Sequence, residues 1–409
     1  MNLKNALLLC LLIWAANASS QILTREDSLN ANLVANDRAT VISGYGEIVY
    51  NRDFKLSTAT ADLRRNILFI GHKFSNSIFV FSELELEHAL LSTEDGVARG
   101  GELAMEQLFV KFNFNPSHYM TAGLFIPRLG IINENHLPTT FNGNDRPFVE
   151  QMILPSTWRE IGIGFYGPVP GIAGLNYSVG IMNGLDGSKI QGGSGLQAAR
   201  GEGFEASAAN LAVSGALLHY HNNLRTQVSY YYGGSAGLTK READSLQLSY
   251  GSFGTPVQVM DANVQYLGRM VQFKALGTGI NVVDASALNR AYATNAPEWM
   301  FGAYGELAVD VLAKSKWNAT KQLFVFARYE WLDMNGEIPD NGVLNPAWKQ
   351  SFVVAGISYK PTRGVVVKAD YVHRTTGAPN EDLVVTPFPQ ALPYYTSRGY
   401  FNLGVAYSF

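Results

Sequence analysis

The chain has 409 residues, a formal net charge of −3 and only 16% charged residues, with 40 glycines, 20 tyrosines and 22 phenylalanines. So weak a charge leaves no electrostatic footprint for nucleic acid. The single cysteine, Cys10, excludes a disulfide scaffold and any metal site built on several thiolates.

The first eighteen residues, "MNLKNALLLCLLIWAANA", read as a secretory signal. Lys4 opens it, an apolar run from Ala6 to Trp14 follows, and Ala16-Asn17-Ala18 is a small-x-small cleavage pattern. Leu9 stands where a lipoprotein site wants a small residue, so no lipid anchor is expected. Cleavage after Ala18 removes Lys4 and Cys10, leaving a charge of −4 and no cysteine. Residues 19–39 are polar and read as an N-terminal periplasmic segment. No later stretch approaches the roughly 18–20 apolar residues of a membrane helix.

From residue 40 onward the dominant period is two. In "LRTQVSYYYGG", Val228, Tyr230 and Tyr232 oppose Arg225, Gln227 and Ser229. In "LFVFARYEW", Leu323, Val325, Ala327, Tyr329 and Trp331 oppose Arg328 and Glu330, and "VVVKADYVHR" sets Val365, Val367, Ala369 and Tyr371 against Lys368, Asp370 and Arg374. Such alternation marks half-buried strands, and apolar faces closed by Tyr or Trp suit the aromatic girdle of a membrane barrel. Strands are predicted at 40–50, 60–73, 77–91, 101–114, 118–126, 159–167, 174–183, 206–220, 224–233, 257–266, 269–278, 299–312, 322–332, 349–360, 363–374 and 397–409. This is an all-β fold, a transmembrane antiparallel β-barrel of about sixteen strands over residues 40–409. Every long connection (127–158, 184–205, 234–256, 279–298, 333–348, 375–396) then falls on one side, with 244–251 placed in its loop as a hairpin extension. The terminal "YFNLGVAYSF" is expected to pair with the first strand and close the barrel, as an unpaired edge is not tolerated in lipid.

Charged residues confined to the inner face are the candidate pore lining. "SELELEHA" puts Glu83, Glu85 and Glu87 on one face, about 7 Å apart, and the next strand adds Glu102 and Glu106. Carboxylates this close require water or cations. Arg225, Lys274, Arg328 and Lys368 are the basic candidates, and acid and base facing each other would give a transverse field with weak selectivity. The 127–160 segment carries Glu134, His136, Arg146, Glu150 and Arg159 among apolar residues that want burial, so it is expected to fold inward as a constriction loop. His136 with Glu134 and the wall glutamates has the residue types of a metal site. Ion pairs and hydrogen bonds that pin the loop to the wall are the preferred reading, and no metal or other cofactor is expected.

Enzymatic motifs fail on context. "GIGFYG" at 162–167 fits G-x-G-x-x-G but itself alternates as a strand and runs into Pro168. H-E-x-x-H does not occur.

The Glu-x-Glu-His-Ala, Gly-Gly-Glu-Leu, Ile-Asn-Glu-x-His, Asp-Arg-Pro and Thr-Trp-Arg-Glu pieces between residues 83 and 160 resemble the porin family that includes the phosphate-selective porins O and P. The resemblance implies a sixteen-stranded outer-membrane channel with an inward loop, a homotrimer in the phosphate-selective members, inserted in outer-membrane lipid by the barrel-assembly machinery. It does not carry phosphate selectivity over, because residues 112–188 contain no lysine and the loop sets Arg128, Arg146 and Arg159 against four acids. The expected function is a weakly selective porin for small hydrophilic solutes. The alternatives are a channel for a defined metal, anion or oligosaccharide, and a non-conducting scaffold or enzyme barrel.

Overall fold

The computed structural model describes residues 39–89, 91–94, 97–315, 321–383 and 394–409. The expected signal, 1–18, and the segment 19–38 lie outside these. The first half of the chain forms β1 (Thr40–Asp53), β2 (Thr58–Lys73), β3 (Ile78–Glu87), β4 (Leu91–Glu94), β5 (Val97–Gly100), β6 (Leu103–Asn113), β7 (Tyr119–Phe125), β8 (Glu160–Pro168) and β9 (Leu175–Asn183). The second half forms β10 (Leu211–His221), β11 (Leu224–Gly233), β12 (Val257–Leu267), β13 (Val271–Val282), β14 (Trp299–Asp310), β15 (Gln322–Glu337), β16 (Lys349–Thr362), β17 (Val365–Thr376) and β18 (Ser397–Ser408). Sixteen of them close into one antiparallel barrel; β4 and β5 form a separate hairpin, so β3 pairs directly with β6.

Closure runs from Tyr45 opposite Ser408 to Asp53 opposite Tyr400. Gly44 and Phe409 exchange backbone hydrogen bonds at 3.2 and 3.0 Å, so the terminal residue completes the ladder. The alternation places the side chains as the sequence predicts. On β15, Val325 and Tyr329 are exposed outward while Phe324, Phe326, Arg328 and Glu330 are buried inside. Outward Ile161, Ile163, Val179, Ile181, Leu217, Val228, Val353, Val367, Leu403 and Val405 continue an apolar outer surface around the barrel. A closed ladder wrapped in apolar side chains satisfies its backbone without water, the condition for crossing a bilayer with strands.

The strand edges and loops differ from expectation in several places, β15 running on to Glu337 past the predicted 332 and β13 to Val282 past 278. β3 and β6 stop at Glu87 and Leu103, short of the predicted 91 and 101, and the β4–β5 hairpin stands between them. β10 begins at Leu211 instead of 206. The 244–251 stretch is no hairpin: Lys240–Leu246 is helical, the first of two helices in the later loops and α2 in chain order after α1 (Phe148–Met152), with α3 at Ala285–Tyr292. Its cause is a capping box, in which the Thr239 hydroxyl accepts from the Glu242 N–H while the Glu242 carboxylate accepts from the Thr239 N–H at 2.9 Å.

The connection between β7 and β8 runs inward. Leu129, Ile131, Ile132, Phe141, Val149, Ile153, Leu154 and Trp158 join wall residues Phe69, Phe81, Phe109, Phe125, Phe324 and Phe326 in one apolar core inside the barrel. Phe148 stacks on Phe352 at 4.1 Å and Trp158 tilts against Tyr231 at 4.8 Å. Each such buried side chain contributes about 1.5–3 kcal/mol, which is what holds a loop this long within the barrel.

Candidate functional site: the inward loop and the lumen cavity

The loop's backbone carbonyls between Thr139 and Asp145 need partners, and cationic side chains of the wall supply them. Lys360 donates to Thr139 O at 2.8 Å, Lys274 to Thr140 O at 3.2 Å and Lys368 to Gly143 O at 2.7 Å. Arg328 donates to Asn142 O and Asp145 O, both at 3.2 Å, and Arg64 to Asn144 O at 2.9 Å. Arg328 also pairs with Glu306 at 3.0 Å and Glu330 at 2.8 Å, and Glu330 in turn accepts from the Val149 N–H at 3.0 Å. A buried guanidinium needs this many acceptors because its desolvation is otherwise uncompensated.

Acids of the loop are seated in the same way. Glu134 lies between Arg128 at 2.7 Å and Arg225 at 3.1 Å. Burial opposes its charge, but those two guanidiniums hold its carboxyl below the usual range. Glu150, on α1, accepts from the Ile131 N–H at 2.7 Å, the Ile132 N–H at 2.6 Å and the Tyr304 hydroxyl at 2.6 Å. Burial pushes its carboxyl up to about 7 against those hydrogen bonds. Gly130 makes the seat possible: its φ is +70°, and a Cβ there would lie 2.5 Å from a Glu150 carboxylate oxygen.

The remaining predicted residues fall into two places. Glu83, Glu106 and His136 are brought together under the loop, all buried. Glu83 accepts from Gln107 at 2.7 Å, and Glu106 accepts from Tyr45 at 3.1 Å and Thr157 at 2.8 Å. Glu85, Glu87, Glu102, Arg146 and Arg159 border a cavity of about 530 Å³ beside the loop. There Glu85 pairs with Arg65 at 3.5 Å and Arg159 with Glu202 at 3.5 Å, while burial and neighbouring Arg65 pull the Arg146 guanidinium down. Thus of the charges expected along the pore, Glu83, Glu106, Arg225, Lys274, Arg328 and Lys368 are buried by or against the loop, which covers them because its backbone and their charges satisfy one another. A second, smaller space of about 20 Å³ lies between the wall and the loop at Lys111, Arg128 and Glu134, room for about one water.

Sequence reasoning missed Glu47, Arg64, Arg65, Arg200 and Glu202, which also border the large cavity. Arg64 and Arg65 are consecutive, and strict alternation sends one of them outward. The pairing of β1 with β2 steps from Glu47–Arg65 to Ile48–Leu63, leaving Arg64 as the extra residue of a β-bulge. A bulge lets two neighbours share a side, and Arg64 reaches Asp145 at 3.0 Å while Arg65 reaches Glu47 at 3.0 Å. A second bulge on β6 skips Glu106, so Glu106 and Gln107 are both buried inside.

No family model matches the chain. An uncharacterized protein of Aquifex aeolicus (strain VF5) is 32% identical over 343 residues, which cover 81% of this chain and 74% of that protein. Among solved structures, the outer membrane channel DcaP of Acinetobacter baumannii superposes with a TM-score of 0.54 at 11% identity, covering 90% of this chain and 97% of that one. An anion-selective porin from Comamonas acidovorans gives 0.53 at 11% identity, covering 90% and 99%. At these identities the two likenesses establish the fold.

Proposed function

The chain belongs to one family with the Aquifex aeolicus protein, and from its barrel and lumen we propose that it works as an outer-membrane porin, passing small hydrophilic solutes or ions with weak selectivity. The carrying observation is the 530 Å³ cavity, lined almost wholly by charged and polar side chains inside a barrel whose outer face is apolar. Five arginines (Arg64, Arg65, Arg146, Arg159, Arg200) and six acids (Glu47, Glu85, Glu87, Glu102, Asp145, Glu202) border it. Opposed charges in so confined a space orient dipolar and ionic solutes without strongly preferring one sign. Membership of the porin O and P family, export by the 1–18 signal, insertion into outer-membrane lipid by the barrel-assembly machinery, and a homotrimer belong to this reading. Phosphate is not the solute it favours, since the acids match the arginines.

A second reading has its own observation. The inward loop is packed by apolar residues, and its Glu150 together with the wall acids Glu106 and Glu330 is dry, each being 0% exposed. That favours a barrel sealed by its loop, serving as a scaffold. Purified protein in a planar bilayer separates the two. Discrete conductance steps in about 1 M salt support the porin, and a silent barrel that inserts and resists proteolysis supports the scaffold.

A further inference from the structure

We propose that Glu83 of β3, Glu106 of β6 and His136 of the inward loop form a binding site for one divalent transition-metal ion, with zinc the best fit. One ligand atom from each residue can be chosen so that all three lie within 4.8 Å of one another, and each residue is buried. The case rests on the imidazole. His136 Nδ1 lies 3.1 Å from the Asn133 carbonyl oxygen. A carbonyl only accepts, so Nδ1 carries the proton. Asn133 is itself fixed, its amide donating to Pro127 O at 2.9 Å and its Oδ1 accepting from the Trp158 N–H at 2.6 Å. Nε2 therefore points at Glu106, 3.3 Å away, and at Glu83, 4.0 Å away, and it makes no hydrogen bond of acceptable geometry.

A lone pair aimed at two carboxylates is repulsive unless a cation lies between them. Two ligand atoms about 2.0–2.1 Å from a shared tetrahedral ion stand about 3.3 Å apart, which is the His136–Glu106 separation; Glu83 needs only a small approach. Imidazole with two carboxylates is a donor set for zinc and its neighbours, and not for a thiophilic ion. The outer contacts are those of a ligand set: the backbone carbonyl orients the imidazole, and Tyr45, Thr157 and Gln107 orient the carboxylates. Of the guanidiniums around the site, Arg65 of the wall is engaged by Glu47 and Glu85, and Arg146 of the loop faces Glu106 and Glu85. The ion would tie the loop to two adjacent strands. The competing occupant is a proton, which would make His136 an imidazolium between the two acids.

Folded protein in detergent is stripped with a chelator, dialysed, and titrated with Zn(II) and with Co(II). The expected result is one ion per chain by elemental analysis and cobalt absorption bands of nitrogen and oxygen ligation. His136→Ala and Glu106→Gln should each weaken binding by at least about a hundredfold, while Glu87→Gln, on the cavity, leaves it unchanged. Wild-type protein that takes up no stoichiometric ion overturns the site, whatever the variants do, and so does an ion retained with unchanged affinity in both variants. Neither outcome bears on conductance, so this site and the porin reading stand or fall separately.

Discussion

Glu150 shows how much a single side chain decides. Its carboxylate organises the loop's first turn by accepting from two successive N–H groups and ties it to β14 through Tyr304. Burial raises it from the ordinary 4.5 to about 7. An acid whose folded value is raised stabilises the fold most where it is protonated in both states. Its contribution is intact below about pH 4.5, falls as pH rises and the unfolded chain releases a proton that the fold retains, and is gone above about pH 7. The shift corresponds to roughly 3 kcal/mol. Glu150→Gln keeps an oxygen for the Ile131 and Ile132 N–H groups and an amide for Tyr304 but cannot titrate. Thermal unfolding in detergent from pH 4.5 to 8 should therefore show wild-type stability falling more steeply than that of the variant. Parallel curves would remove Glu150 as the source. The carboxyl was visible in the sequence as a loop acid. Its seat was not, since it depends on Gly130 and Tyr304 arriving from 20 and 154 residues away.

At the scale of elements, the strands were legible because the lipid and the lumen impose opposite polarity on alternate residues, and the rhythm survives in each strand regardless of its neighbours. What breaks the rhythm was not legible. The helix Lys240–Leu246 has a local signal, the Thr239/Glu242 capping box, which a reading dominated by period two passes over. The bulges at Arg64 and Glu106 have none, because an extra residue is defined only by the register of the adjacent strand. The β6 bulge gives a sharp expectation. Glu102 and Leu108 share sequence parity, yet Glu102 borders the cavity while Leu108 is exposed outward, 46% accessible on the barrel surface. Removal of the leader would leave no native cysteine to interfere. Single-cysteine variants at the two positions, reconstituted in liposomes, should part company. Glu102→Cys should react with a charged, water-soluble maleimide and Leu108→Cys only with a membrane-permeant one. Equal labelling of both by the charged reagent would show that the strand runs through without a bulge.

For the whole molecule, the inner surface divides into a dry part and a wet part. The loop converts part of the lumen into a core, where Phe69, Phe81, Phe109, Phe324 and Phe326 meet its apolar residues and where Arg328, Lys274 and Lys368 neutralise its backbone carbonyls. The charged cavity beside it stays open, as does a space of about 250 Å³ between Phe148 and Met152 of the loop and Phe352, Val372 and Arg374 of the wall. Two glutamates on neighbouring strands can thus have the same sequence pattern and different surroundings: Glu87 and Glu102 line the cavity, while Glu83 and Glu106 lie under the loop. A charge in the water-filled path acts on passing ions through a few ångströms of solvent, whereas one that is buried and already compensated by its neighbours adds little to the field there. If solutes cross by this cavity, Glu87→Gln with Glu102→Gln should move the reversal potential in a tenfold salt gradient toward anions. Glu83→Gln with Glu106→Gln, checked for an intact barrel by circular dichroism, should leave the potential within error and act instead on the seating of the loop, read as increased proteolysis within residues 127–159. A larger shift from the buried pair than from the cavity pair would mean that ions pass beneath the loop, and that the cavity is not the path.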